Sequence, residues 1–227
     1  MALLNAVIDL SHFNHVTSFQ AIRDAGIIGI INKATQGVTG VDGTYGTRRP
    51  QALAAGLLWG GYHFGVSGTP QKQADHFLDV VQPAPTDLLV LDFEPNSQGT
   101  MSLAEAEIFV QRIFQQTGRY PGLYSGQAFL KEQLGTTTNE VLSNCFLWVA
   151  RYSDQLPQVP TATWKTFTLW QYTDGNLGPQ PHRVNGIAEG CDRDKFNGDE
   201  PALRKLWGVP PATPPPPTAP PPPTTNS

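Results

Sequence analysis

The chain has 227 residues, a net charge of −4 and only 15% charged residues. That length is enough for one domain with a sizeable core, and without clustered basic residues there is no footprint for nucleic acid. The longest apolar runs, residues 25–31 and 53–58, are interrupted by glycine or too short to cross a bilayer, so no membrane partner is expected. The N-terminus enters an apolar strand within a few residues, with no basic stretch leading into a long apolar one, and no signal peptide is expected. Cys145 and Cys191 are too few for a disulfide framework or a metal cluster, and neither metal nor cofactor is expected.

In chain order, residues 5–10 read as a short aliphatic strand ending at Asp9, and residues 18–25 as a helix closed by Gly26. A second strand spans residues 27–32 and leads to Lys33. After a Gly-rich loop the Ala/Leu pattern of residues 50–55 predicts a helix with Pro50 in its first turn, and residues 57–64 form the third strand. Thr69 as N-cap and Pro70 at the first position open a helix with Ala74, Phe77, Leu78 and Val81 at helical spacing, packed on the strand that follows. That strand, Leu88 to Leu91, reads as buried on both faces and ends in Asp92-Phe93-Glu94-Pro95. Ser102 and Glu105 form a capping-box sequence, and Ala106, Phe109, Val110 and Ile113 follow on one face. Residues 120–125 and 128–134 give a fifth strand and a shorter helix.

Beyond residue 144 the helical spacing stops. Residues 145–150 and 167–172 read as strands, with a short eighth strand near residues 190–194. Five strand–helix units followed by three strands predict an α/β fold, a TIM-like barrel of the (β/α)5(β)3 kind with an irregular, helix-poor last third. A doubly wound open sheet is the alternative. The domain is expected over residues 1–208. Residues 209–227 carry no charge and 10 of the 21 prolines, which suits an extended Pro/Thr-rich linker or disordered tail.

Side chains alternate along a strand, so Asp92 and Glu94 share one side and Phe93 takes the other. At the C-terminal ends of parallel strands, where barrel enzymes place their chemistry, the other predicted strand ends add Asp9, Lys33, Tyr62, His63, Tyr124, Trp148, Trp170, Gln171, Tyr172 and Asp192. Acids interleaved with Tyr and Trp suit a carbohydrate cleft, because sugar rings stack apolar faces on aromatics and present hydroxyls to carboxylates. Crowded carboxyls hold one proton against neutral pH, which glycoside cleavage requires of its general acid. Simpler readings stand beside these: Trp148 and Trp170 equally suit a core, Lys33 an ion pair, His63 a satisfied core imidazole, and Asp75 and His76 a solvated helix face. Ser11-His12 lacks the glycines of a nucleophile elbow, and no Gly-rich stretch has phosphate-loop spacing.

Taken in order, Val7-Ile8-Asp9-Leu10-Ser11-His12, Lys33-Ala34-Thr35-Gln36-Gly37, Gly61-Tyr62-His63-Phe64, Leu91-Asp92-Phe93-Glu94, Trp170-Gln171-Tyr172 and Asp192-Arg193-Asp194-Lys195-Phe196-Asn197-Gly198 resemble glycoside hydrolase family 25, the N-acetylmuramidase or Chalaropsis-type lysozymes. The resemblance covers about residues 5–198 and implies cleavage of the β-1,4 bond between N-acetylmuramic acid and N-acetylglucosamine in bacterial peptidoglycan. It assigns Glu94 as general acid, Asp92 as the partner that orients the substrate N-acetyl group, and Asp9 and Asp192 as the other pocket acids. Lys33, Tyr62, Tyr124, Trp148, Trp170 and Gln171 are then candidates for substrate binding. Acids spaced i, i+2 leave little room for an inverting water, which favours an assisted or retaining course.

Two positions depart from the family pattern: Cys191 replaces a common aliphatic residue and Asp194 a common Asn. Cys145 is expected near the barrel bottom and Cys191 near the top, so no disulfide is expected between them. The competing readings are a chitinase-like or endo-N-acetylglucosaminidase hydrolase, a catalytically silent wall-binding domain and a metal-dependent hydrolase. A monomer acting on the extracellular wall is expected, as a phage or prophage endolysin or a secreted enzyme that has lost its signal.

Overall fold

The computed structural model describes residues 3–210; the expected Pro-rich tail lies outside the described residues from position 211 onward. Nine strands and six helices follow in the order β1 (Leu4–Leu10), α1 (Phe19–Asp24), β2 (Gly29–Gln36), β3 (Gly40–Val41), α2 (Tyr45–Ala54), β4 (Leu58–Phe64), α3 (Pro70–Val81), β5 (Leu88–Asp92), α4 (Leu103–Thr117), β6 (Gly122–Gly126), α5 (Gln127–Leu134), β7 (Leu147–Ala150), β8 (Leu169–Thr173), β9 (Asp192–Phe196) and α6 (Glu200–Leu206). Strands β1, β2, β4, β5, β6, β7, β8 and β9 pair in a ring that closes through both β1–β2 and β1–β9. Closure excludes the open-sheet alternative. Five strand–helix units and then three strands without helices between them are the (β/α)5(β)3 arrangement read from the sequence. Strand β9 runs antiparallel to both neighbours, so the barrel is mixed.

Two apolar layers hold the ring. One fills the barrel with Ala6, Val7, Ile31, Leu88, Val90, Trp148, Leu169 and Phe196; the other lies between the strands and the outer helices, with Ile8, Ile30, Phe77, Leu91, Phe109 and Val110. The alternation of Val7 inward and Ile8 outward is the strand period itself. Helix α4 carries the capping box its sequence announces: Glu105 N–H donates to Ser102 Oγ at 3.3 Å and Ser102 N–H to Glu105 Oε2 at 2.8 Å.

Several local expectations are corrected. Helix α2 begins at Tyr45, with Pro50 in its interior. Tyr45 is buried against Trp59, ring centroids 5.6 Å apart, and Arg48 donates to Ser11 O at 2.8 Å and Asn32 Oδ1 at 3.1 Å. These anchors hold the turn before Pro50 despite the missing N–H. Thr69 lies in the left-handed region (φ 46°) and makes no side-chain cap; the Gln73 amide serves that loop instead, accepting from Val66 N–H at 3.1 Å and donating to Val66 O at 2.8 Å. Helix α3 packs on α4 and β2 more than on β5. Asp75 lies on the partly solvated face of the helix, as read, where Arg112 Nε donates to it at 2.7 Å, and His76 Nε2 donates to Gly40 O at 3.0 Å.

Helix α6 and strand β3 were not read from the sequence. Asp199 caps α6 by accepting from Ala202 N–H at 2.9 Å, and Leu203 and Trp207 then plug the barrel bottom, both 0% exposed. Trp207 Nε1 donates to Trp59 O at 3.0 Å.

Candidate active site

The C-terminal ends of the parallel strands surround a cleft of about 280 Å³ lined by Asp9, Ser11, Phe13, Lys33, Tyr62, Phe64, Asp92, Glu94, Tyr124, Trp148, Tyr152, Gln171 and Asp192. Of the ten residues singled out from the sequence for catalysis or binding, nine line it. Asp92 closes β5, and Glu94 follows after one residue on the same side. Phe93 turns away to pack on Phe129 at 5.0 Å, the parity predicted for this stretch. Asp192 arrives differently from expectation. It begins β9 rather than ending a strand, and reaches the rim because β9 is antiparallel, standing opposite Asp9 in register.

Trp170 is the exception. Gln171 faces the cleft, so its neighbours Trp170 and Tyr172 must face the outer layer. Trp170 Nε1 donates to Arg151 O at 2.8 Å and Tyr172 to Pro181 O at 3.2 Å. His63 also faces outward and is wholly buried. Its Nδ1 accepts from Thr35 Oγ1 at 2.7 Å and its Nε2 donates to Gln73 Oε1 at 3.1 Å, with burial pushing its pKa down to about 4. It is the satisfied core imidazole of the simpler reading.

The floor of the cleft is a fixed hydrogen-bond chain. Tyr124 and Tyr152 donate to Gln171 Oε1 at 2.8 and 3.0 Å, and Gln171 Nε2 donates to Asp9 Oδ2 at 2.8 Å. The amide nitrogen thus faces Asp9 and its oxygen the two hydroxyls. Beneath, Trp148 stacks edge-on against Tyr124 at 4.6 Å and donates from Nε1 to Asp194 Oδ1 at 2.7 Å. Lys33, expected in an ion pair, instead donates to Gln36 Oε1 at 2.7 Å and lies 4.6 Å from the Phe64 ring centroid.

Burial raises the four carboxyls that line the cleft. Asp92 is held well above its ordinary value by burial and then by Glu94, with Lys33 pulling it down. Glu94 is raised by burial against the same pull from Lys33. Asp192 is pushed up to about 6 by burial, and Asp9 is raised by burial, Asp192 and Asp194. Among the described residues lining the cleft, Lys33 is the one cation. Asp92 Oδ1 is buried with no hydrogen-bond partner. No group of three His, Cys, Asp or Glu side chains among the described residues could hold a metal ion. Both cysteines are free and buried.

Phe13 and Tyr152 escaped the sequence reading as members of this end of the barrel. Phe13 is 82% exposed at the mouth, its ring 4.1 Å from that of His12. Both aromatics follow a strand end within a few residues, which was the available signal.

A barrel of mainly parallel strands with paired acids and aromatics at its C-terminal rim defines a glycoside hydrolase. The chain belongs to glycosyl hydrolases family 25, whose family model matches residues 8–179. It is 29% identical over 215 residues to lysozyme M1 of Streptomyces globisporus, covering 88% of this chain and 70% of that one. It is 26% identical to the N,O-diacetylmuramidase of a Chalaropsis species, covering 87% and 96%. The bacterial lysozyme from Streptomyces coelicolor has a similar structure, with a TM-score of 0.80, 27% identity, and coverage of 92% of this chain and 99% of that chain.

Proposed function

We propose that the protein is a muramidase that hydrolyses the β-1,4 bond between N-acetylmuramic acid and N-acetylglucosamine in bacterial peptidoglycan, with Glu94 as general acid and base. Family membership and the lysozyme and muramidase relatives support the activity. The observation that carries the division of labour is the Asp92–Glu94 pair at the end of β5. Glu94 is the more exposed of the two and reaches into the cleft, and burial favours its protonated form, as donation to the leaving oxygen requires. Asp92 is deeper yet still lines the cleft, where its carboxyl can accept from an acetamide N–H. An acetamide so held presents its oxygen to the anomeric carbon, giving an assisted, retaining course.

Asp9 and Asp192 place further negative charge where an oxocarbenium-like state develops. Lys33, Tyr62, Tyr124, Trp148 and Gln171 bind and orient sugar, and Phe13 offers an apolar face to a ring at the mouth. The protein acts as a monomer at the cell wall, which it reaches after export or release from a lysing host.

The test is Glu94→Gln in a wall-turbidity assay, with identification of the new reducing end. Lysis is expected to fall by about a thousandfold with the far-UV spectrum unchanged, and the wild type is expected to liberate muramic acid reducing ends. Glucosamine ends, or lysis by the variant above a tenth of wild type, would overturn the assignment.

A further inference from the structure

Asp194 lies one layer below the cleft, wholly buried and without an evident role in the reaction. In the β1–β9 and β8–β9 ladders it stands opposite Val7 and Gln171, and diagonally from Asp9, so all four side chains point into the barrel. Asp194 Oδ1 accepts from Trp148 Nε1, whereas Asp194 Oδ2 is buried with no partner. Across the ladder, Asp9 Oδ2 accepts from Gln171, and the register sets the Asp9 and Asp194 carboxyls as diagonal neighbours inside the barrel.

Two buried carboxylates on diagonal positions of one ladder, one with an orphaned oxygen, are not a stable arrangement in a low-dielectric interior. Among the described residues, the cation that acts on Asp194 is Arg193. The groups facing the pair are Asp192 from β9, Gln171 from β8, Trp148 from β7, Asp92 from β5 and the Tyr62 hydroxyl from β4. Arg193 points to the other face of β9, where its guanidinium donates to Arg183 O and Asn5 Oδ1. A single proton between the two acids satisfies the orphaned oxygen and removes the repulsion.

We propose that Asp9 and Asp194 form one acid pair holding a single shared proton while the enzyme is active, and that Asp194 is thereby a positioning residue fixing the charge and orientation of Asp9. The pair titrates as a unit with two macroscopic steps. Burial raises both members, and the repulsion of Asp192 adds to it; Asp194 raises Asp9 further, while hydrogen bonds from Trp148 and Asp9 and the charge of Arg193 pull Asp194 down. The cleft floor then presents one negative charge rather than two beside Asp192. The inference rests on the proposed reaction only for the use to which Asp9 is put; the proton itself is a property of the free enzyme.

The experiment is a carbon-13 carboxyl NMR titration of the full chain, with Asp9 and Asp194 assigned through Asp9→Asn and Asp194→Asn. Two wild-type resonances moving together in two steps, the second well above the ordinary aspartate range, are expected. In Asp194→Asn, whose Nδ2–H can donate where the proton sat, Asp9 should titrate in one step below that second step. Both resonances fully ionised by pH 6 in the wild type, or an Asp9 titration indifferent to Asp194→Asn, would overturn the pair. Neither result depends on the substrate, so failure here is distinct from failure of the muramidase assignment. A readout of the positioning role is kcat: Asp194→Leu, which has no donor, should fall about tenfold below Asp194→Asn with little change in KM, and equal kcat values would remove that role.

Discussion

Gln171 donates to Asp9 Oδ2 at 2.8 Å while its own oxygen takes the hydroxyls of Tyr124 and Tyr152. One amide thus orients an acid and two aromatics from three different strands or loops. Gln171→Leu removes the donor that steadies the Asp9 carboxylate and orphans two hydroxyls together. kcat/KM on peptidoglycan glycan strands should drop roughly thirty- to hundredfold, while Tyr124→Phe, which loses a single hydrogen bond, costs only about threefold to tenfold. Equal losses for the two variants would mean that the amide does not organise the floor.

Lys33 holds both Asp92 and Glu94 below where burial alone would leave them. Removing its charge in Lys33→Met should raise the pKa of both acids, so the limbs of the kcat/KM against pH profile that report them should move to higher pH. Lys33→Arg keeps the charge and should leave those limbs in place even where KM changes. A Met profile superimposable on wild type would show that the cation does not set the acids' protonation.

The β5 and α4 segments were legible in the sequence because their signals are local: a four-residue aliphatic run stopped by two acids, and a capping box ahead of a 3.6-residue period. Trp170 was not placed correctly because residues 167–172 are apolar on both parities, and only barrel closure decides that Gln171 faces in. Asp192 was assigned to the right rim for the wrong reason, since nothing local to Asp192-Arg193-Asp194 reveals that β9 runs antiparallel. The plug formed by α6 had readable signals in Asp199, Pro201 and Leu203, yet with only seven residues the helix shows too little periodicity to stand out. Burial of Asp194 is a property of the closed ring, visible only when β1, β8 and β9 are in register.

His63 couples the outer layer to pH. Its folded pKa of about 4 lies below its ordinary value of 6.5, so the fold favours the neutral ring. Its contribution is full above pH 6.5 and is lost as the pH falls toward 4, by about 3 kcal/mol in all. The raised acids of the cleft act in the opposite sense, gaining stability as the pH falls, so the wild-type curve alone mixes the two. In His63→Leu the lost hydrogen bonds to Thr35 and Gln73 should lower stability at pH 7, and the gap to wild type should narrow between pH 6.5 and 4 in urea unfolding. A gap independent of pH would mean that the ring takes up its proton without unfolding.

Trp207 sits at the opposite end of the barrel from the chemistry, wholly buried, with its indole N–H on Trp59 O. The fit is close: a methyl group added at Gly29 would approach the indole ring carbons to 3.1 Å. Trp207→Ala empties the floor of the inner core, and such truncations cost about 3–5 kcal/mol, lowering Tm by roughly 10 °C in a domain of this size. Trp207→Phe keeps most of the volume and loses the hydrogen bond, so it should cost about 1–2 kcal/mol. The acids at the rim do not depend on this plug for their hydrogen bonds, so turbidity loss measured well below Tm should remain within about twofold of wild type if the remaining mutational effects are additive over such a distance. A Trp207→Ala protein as stable as wild type would show that α6 covers the barrel without sealing it.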